Sequence, residues 1–232
     1  ALVDNIWAGT AAMVGNDGKR TNEAAFWDRF AALYGEQVRE DIPLFDAFYR
    51  QEFQQAKAFC GFTPKARAAV EACKAAGHRV ALATNPIFPA VATESRIRWA
   101  GLAPETFAWY TTYENIGYCK PNPDYYREIL RYLGCRAEDC LMVGNDVEED
   151  MMAAQAAGQP PSDGTDGKKG SPQFPGKLGR TFSFFLSFLR KRGKNGTYEI
   201  HFSTSSTEKS TCSAVLMPRP STRERVSTSL ST

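Results

Sequence analysis

Between residues 63 and 158, four helix-like stretches alternate with three short apolar runs, and that alternation leaves few folds open. Thr63-Pro64 reads as a cap followed by proline at the first helical position. Gly77 then closes an Ala-rich helix before the run Val80-Ala81-Leu82-Ala83. A second helix over about 88–100 leads to a strand at 107–111, a third over about 123–133 leads to Cys140-Leu141-Met142-Val143, and a fourth covers about 147–157 before Gly158. Strands this short and this apolar are buried on both faces and pair in parallel, with right-handed helical crossovers. The expected fold class is α/β, a doubly wound, Rossmann-like parallel sheet.

The flanks have other rhythms. Over 1–62, Ile6, Met13, Phe26, Trp27, Phe30, Phe45, Tyr49 and Phe53 recur at helical spacings without a convincing strand. The turn Asn16-Asp17-Gly18 and the break Asp41-Ile42-Pro43 divide this text into three helices. Lys19, Arg20 and Asn22, beside the first turn, are placed to touch a substrate, and solvent exposure is the plainer reading. After Gly158 comes a run rich in Pro, Gly and charge, and half of residues 203–232 are Ser or Thr. An irregular, largely disordered C-terminal tail is expected there. The chain thus divides into a helical part at 1–62, an α/β core at 63–158 and a tail at 159–232.

Charge follows the same division. The net +2 hides 16 basic against 21 acidic residues up to 158, and 12 against 5 beyond it. A basic tail raises the question of nucleic acid or anionic membrane, but it lacks a folded module and regularly interleaved aromatics, so neither is expected as a partner. No apolar stretch approaches the roughly 18–20 residues of a membrane helix, and Ala1-Leu2-Val3-Asp4-Asn5 lacks the features of a signal peptide. Six cysteines without a Cys-x-x-Cys pair, beside two histidines, give no zinc spacing. The expectation is a cytoplasmic protein with reduced thiols.

Ligands of open α/β sheets bind beyond the C-terminal strand ends, which directs attention to three loops. Thr84-Asn85 closes the first strand and offers a hydroxyl and an amide at what reads as a helix entrance, either an anion site or an ordinary N-cap. Cys119-Lys120-Pro121-Asn122-Pro123 fixes the backbone around a lysine with two following prolines, suited to a phosphoryl oxygen where a surface lysine is the plainer reading. Gly144-Asn145-Asp146-Val147-Glu148-Glu149-Asp150 sets two aspartates four apart at a helix start. Such hard oxygen ligands suit Mg2+, and compensation of the helix dipole is the plainer reading.

In their order, strand-Thr-Asn, Lys-Pro-x-Pro and Gly-Asn-Asp-x-x-x-Asp, these motifs resemble the second, third and fourth motifs of the haloacid dehalogenase-like (HAD) hydrolase superfamily, over about 64–158. The resemblance makes 1–62 look like the helical cap inserted after the first motif. It implies hydrolysis of a small phosphorylated metabolite through an aspartyl-phosphate, with Thr84, Asn85 and Lys120 gripping the phosphoryl group and Asp146, Asp150 and Asn145 as candidates to hold Mg2+.

The family's first motif, an apolar strand ending in Asp-x-Asp-Gly-Thr, is not found. Asp163-Gly164-Thr165 lacks the strand before it. The missing strand would lie between those ending at Thr84 and Val143, and a gap there leaves two ladders of backbone groups unpaired. The expectation is a truncated N-terminus and a C-terminus altered by frameshift or misjoining. Haloacid dehalogenases share the fold without the metal, and the acidic loop argues against that variant. A different class of answer is a catalytically inactive fragment or a module that binds phosphorylated ligands or a partner chain.

Overall fold

The computed structural model describes residues 2–144 and 146–159, together with the backbone of three later strands. Helices α1 (Leu2–Val14), α2 (Asn22–Tyr34) and α3 (Ile42–Arg50) open the chain, with 3-10 turns at Glu36–Asp41 and Glu52–Phe59. The Thr21 hydroxyl caps α2 by accepting from the Ala24 N–H at 3.2 Å, and Gly35, at φ 93°, ends it. The break expected at Asp41-Ile42-Pro43 falls where the 3-10 turn ends and α3 starts. Proline lacks a backbone donor, and the first turn of a helix has no intrahelical partner for one.

These helices build their own core. Phe26 stacks on Phe30 with centroids 5.2 Å apart, and Trp27 meets Phe45 edge-on at 5.2 Å. Gly9 lets α1 approach, since a Cβ there would stand 2.5 Å from the Phe26 ring.

The expected alternation follows: α4 (Pro64–Ala75), β1 (Arg79–Ala83), α5 (Ala90–Trp99), β2 (Trp109–Tyr110), α6 (Pro123–Leu133) and β3 (Leu141–Val143). Val147–Met152 is then wound as a π-helix and continues into α7 (Ala153–Ala156). Along β1 the period of two sorts side chains between two cores. Ala81 and Ala83 join Tyr125, Tyr126, Ile129 and Met142 on the α6 side, while Val80 and Leu82 join Val70, Cys73, Ile97 and Phe107 on the α4 and α5 side. β2 is shorter than the expected 107–111, yet bonds from the Ala108 N–H to the Val80 carbonyl (2.8 Å) and from Thr111 to Leu82 (3.1 Å) prolong its ladder with β1.

The remaining strands are β4 (Ser187–Lys191), β5 (Tyr198–His201) and β6 (Ser213–Met217). β4 and β5 form a separate antiparallel pair. The main sheet has the order β2-β1-β6-β3. β1 and β2 are parallel, whereas β6 runs antiparallel to both β1 and β3.

Two expectations are corrected here: the sheet is mixed, and 213–217 of the tail is a central strand. The reason lies in the gap itself. β1 and β3 would each leave a row of buried N–H and C=O groups unpaired, and the apolar segment Ser213-Ala214-Val215-Leu216-Met217 satisfies both rows. β4 and β5 are likewise regular strands within the tail expected to be irregular, and its other parts from 160 on lie outside the described residues. Among the described residues no helix is long and apolar enough to cross a membrane.

Val215 pairs with Ala81 on one side and Met142 on the other. Val215→Pro removes a ladder donor between two strands and is expected to cost about 2–3 kcal/mol, read as a lower urea midpoint. An unchanged midpoint would show that β6 contributes nothing to the sheet's stability.

Candidate active site

β1 and β3 flank β6 and end at the same end of the sheet, and their exits carry the predicted residues. Thr84, directly after β1, is 4% exposed and tied to Thr111 at the end of β2. The Thr84 N–H donates to Thr111 Oγ1 at 2.9 Å, and the Thr111 hydroxyl donates to the Thr84 carbonyl at 2.9 Å. The Tyr125 hydroxyl donates to that carbonyl at 2.6 Å. In contrast, the Thr84 hydroxyl makes only long contacts among the described residues, 3.3 Å to the Thr111 carbonyl and 3.4 Å to the Thr111 hydroxyl, so a better acceptor could draw it away.

The helix entrance expected at Thr84-Asn85 is corrected: α5 starts at Ala90, so neither residue is its cap. Pro89 cannot continue the helix backward through a donor, and the Ala90 N–H is met by the Glu114 carboxylate at 2.8 and 3.1 Å. Asn85 turns toward the second loop, its Oδ1 accepting from the Lys120 N–H at 3.3 Å.

Lys120 is not the surface lysine of the plainer reading. Its Nζ donates to Asp150 Oδ1 at 2.6 Å, and both side chains are 2% exposed. Asp150 Oδ1 also accepts from the Tyr126 hydroxyl at 3.3 Å, and Oδ2 from the Asp146 N–H at 3.1 Å. The ammonium lies over two rings, 5.7 Å from the Tyr125 centroid and 5.9 Å from that of Tyr126. Gly144 has to be glycine, because a Cβ would stand 2.3 Å from Asp150 Oδ2. Widening of the next turn is visible in the Asp146 carbonyl, which accepts from both Asp150 (3.0 Å) and Met151 (3.3 Å).

The surroundings are dry and hold their protons. Burial, first among the causes, pushes the Tyr125 and Tyr126 hydroxyls well above the usual phenol range, so both remain neutral donors. The Cys119 thiol, next to Lys120, is pushed up to about 12 by burial, with an Asn22 hydrogen bond opposing the shift.

The candidate metal ligands do not converge in the same way. Asp146 caps the acidic turn, its Oδ1 accepting from Glu148 N (3.0 Å) and Glu149 N (2.8 Å), and Asp150 spends both oxygens on protein donors. Asn145 lies outside the described residues. Among the described residues no three His, Cys, Asp or Glu side chains gather. Mg2+ prefers six oxygens in near-octahedral array, so these groups do not by themselves fit it.

Sequence reasoning missed Thr111, Tyr125, Tyr126 and Gly144 as parts of the cluster. Their signals were present: Thr111 closes the second apolar run, and Tyr125-Tyr126 follows the second proline after one intervening residue. It also missed Asn22, which is fully buried rather than exposed. The Asn22 amide donates toward the carbonyls of Pro86 (3.2 Å) and Tyr118 (3.3 Å) and the Cys119 sulfur (3.3 Å), and accepts from Asn16 Nδ2 at 2.9 Å. It thereby ties the helical part to the residues beside Asn85 and Lys120. Lys19 instead pairs with Asp17, and Arg20 with Asp28.

Comparison with known proteins adds kinship. A family model described as haloacid dehalogenase-like hydrolase matches residues 3–158. A glyceraldehyde 3-phosphate phosphatase of Methanothermobacter thermautotrophicus is 43% identical over 47 residues, 20% of this chain and 21% of that protein. The chain thus covers about a fifth of this relative's length. No solved structure matches.

Lys120→Met strands the Asp150 charge in the interior and is expected to cost about 3–5 kcal/mol in denaturant unfolding. The double variant Lys120→Met/Asp150→Leu should recover most of that loss. Equal loss in single and double variants would mean that packing, rather than charge pairing, carries the effect.

Proposed function

Because the chain belongs to the haloacid dehalogenase-like hydrolases, whose core is a Rossmann-like α/β fold, we propose that its strand-end cluster binds the phosphoryl group of a small phosphate monoester for hydrolysis. One observation carries this reading: at the exits of β1 and β3, hydrogen bonds join Asn85, Lys120 and Asp150, and the Lys120 ammonium lies over the ring of Tyr125, whose hydroxyl holds the Thr84 carbonyl. Kinship over a short stretch with a glyceraldehyde 3-phosphate phosphatase supports a phosphorylated metabolite as substrate.

Each residue then has a task. Lys120 neutralises phosphoryl charge, Asp150 holds the ammonium in place, and Thr84 turns its weakly bonded hydroxyl to a phosphoryl oxygen. Asn85 fixes the spacing between the two loops. Helices α1 to α3 act as a cap over the strand ends, on a doubly wound core at 63–158. The aromatic cluster of Met13, Phe26 and Trp27 supports this arrangement, because it includes Cys119 and packs on Ile87 and Tyr113. Hydrolases of this family generally use Mg2+. Asp146 is the carboxylate that would help hold it, with Asn145 and ligands from outside this cluster completing the shell.

The family's aspartyl-phosphate route needs an attacking aspartate, and the 232 residues contain no Asp-x-Asp. A second reading, a phosphate-binding module without turnover, is favoured by β6, since the segment between β1 and β3 carries no carboxylate.

Isothermal titration with inorganic phosphate, beside a p-nitrophenyl phosphate assay with and without Mg2+, tests both readings. Phosphate is expected to bind, and Lys120→Ala to weaken binding about tenfold or more, roughly the 1.4 kcal/mol or more of one charge-assisted bond. Magnesium-dependent turnover would locate an attacking group within this chain and dismiss the module. Binding without turnover would favour the module, and no phosphate binding at all would overturn both.

A further inference from the structure

At the end of the sheet opposite the cluster, Arg79 opens β1 and Cys140 immediately precedes β3. Between α6 and β3 the chain turns tightly. Gly134 ends α6 at φ 63°, the Cys135 N–H returns to the Leu130 carbonyl at 3.0 Å, and after the 3-10 turn Ala137–Asp139 the Cys140 N–H bonds Ala137 at 3.1 Å. Cys135 consequently packs against the core cluster that contains Cys140.

Arg79 Nη2 donates to the Cys135 sulfur at 3.0 Å, while that thiol donates to the Leu133 carbonyl at 3.4 Å. Among the described residues no carboxylate lies within ion-pair distance of Arg79, and its buried Nε has no hydrogen-bond partner. This contact sets a positive charge directly against the Cys135 sulfur, where it can steady charge that develops as the sulfur reacts.

We infer that Cys135 and Cys140 form a peroxide-sensitive thiol pair, in which Cys135, beside Arg79, reacts first and Cys140 closes a disulfide. The division of labour follows from environment. Cys135 is half-buried, whereas Cys140 is 1% exposed and its thiol is pushed up to about 12, by burial first and then by the neighbouring Cys135 sulfur.

The chemistry balances with a hydroperoxide as oxidant. The Cys135 thiolate attacks the peroxide oxygen, the O–O bond breaks, and the departing oxygen takes a proton to leave as water or alcohol. Cys140 sulfur then displaces hydroxide from the sulfenic acid and its own proton completes a second water, so two thiols give one disulfide. This site is independent of phosphate binding.

The test treats the reduced full chain with hydrogen peroxide, alkylates the remaining thiols and maps the peptides by mass. A Cys135–Cys140 linkage should form before the exposed Cys60 is oxidised, and dithiothreitol should reverse it. Arg79→Met should slow its formation about tenfold through loss of the charge beside the Cys135 sulfur, Arg79→Lys less, and Cys140→Ala should leave a dimedone-reactive Cys135. The wild-type map stands whether or not the variants fold. If Cys60 is oxidised while Cys135 and Cys140 both stay alkylatable, or if linkage is indifferent to Arg79, the pair has no such role.

Discussion

The ion pair between Lys120 and Asp150 is the constraint around which this structure is arranged. Two opposite charges 2.6 Å apart, each side chain 2% exposed, have given up water, and only their mutual attraction and further hydrogen bonds offset that loss. Satisfying them dictates the neighbours. Tyr126 brings a hydroxyl to Asp150, the Asp146 N–H takes the other carboxylate oxygen, and Gly144 gives up its side chain so that the carboxylate fits. Lys120 in turn presents its backbone to Asn85, which joins the exits of β1 and β3 in one hydrogen-bonded unit.

The sheet beneath obeys a different requirement, the pairing of backbone groups. β1 is buried on both faces, so its ladders cannot be left to water. On one side β2 meets the need in parallel, and on the other β6 meets it in the opposite direction. Direction is the price of using a segment that reaches the slot from the far end of the chain, because ladder bonds form in either sense while side-chain pattern only asks for apolar residues. The consequence for the site is chemical: the strand between β1 and β3 delivers Ser213 rather than an aspartate to the end of the sheet where Thr84 lies.

The helical part is fastened to this core through a buried amide. Asn22 bonds backbone groups beside both Asn85 and Lys120, and the Gly18 and Asn22 N–H groups bond the carbonyls of Gly117 and Ile116 at 3.1 and 3.0 Å. Gly117 makes the approach possible, since a Cβ there would meet the Arg20 carbonyl at 2.7 Å. The same polar contacts that set the distance between helices and core therefore also brace the lysine loop.

Local rules written in the sequence determined much of this. Thr21, Thr63 and Asn122 cap helices because a short side-chain oxygen satisfies an orphan N–H, and the period of two along Val80–Ala83 sorts the strand between two cores. The order of Thr84, Lys120 and Asp150 at successive strand ends was legible for the same reason, since each depends on its own strand–loop–helix unit. What only the tertiary structure decided were the pairings between residues far apart in the chain: Lys120 with Asp150, Tyr125 with Thr84, Asn22 with Tyr118, and β6 with β1 and β3. Those choices follow from which buried donors and acceptors remain unsatisfied once the elements pack, a quantity that no stretch of sequence carries by itself.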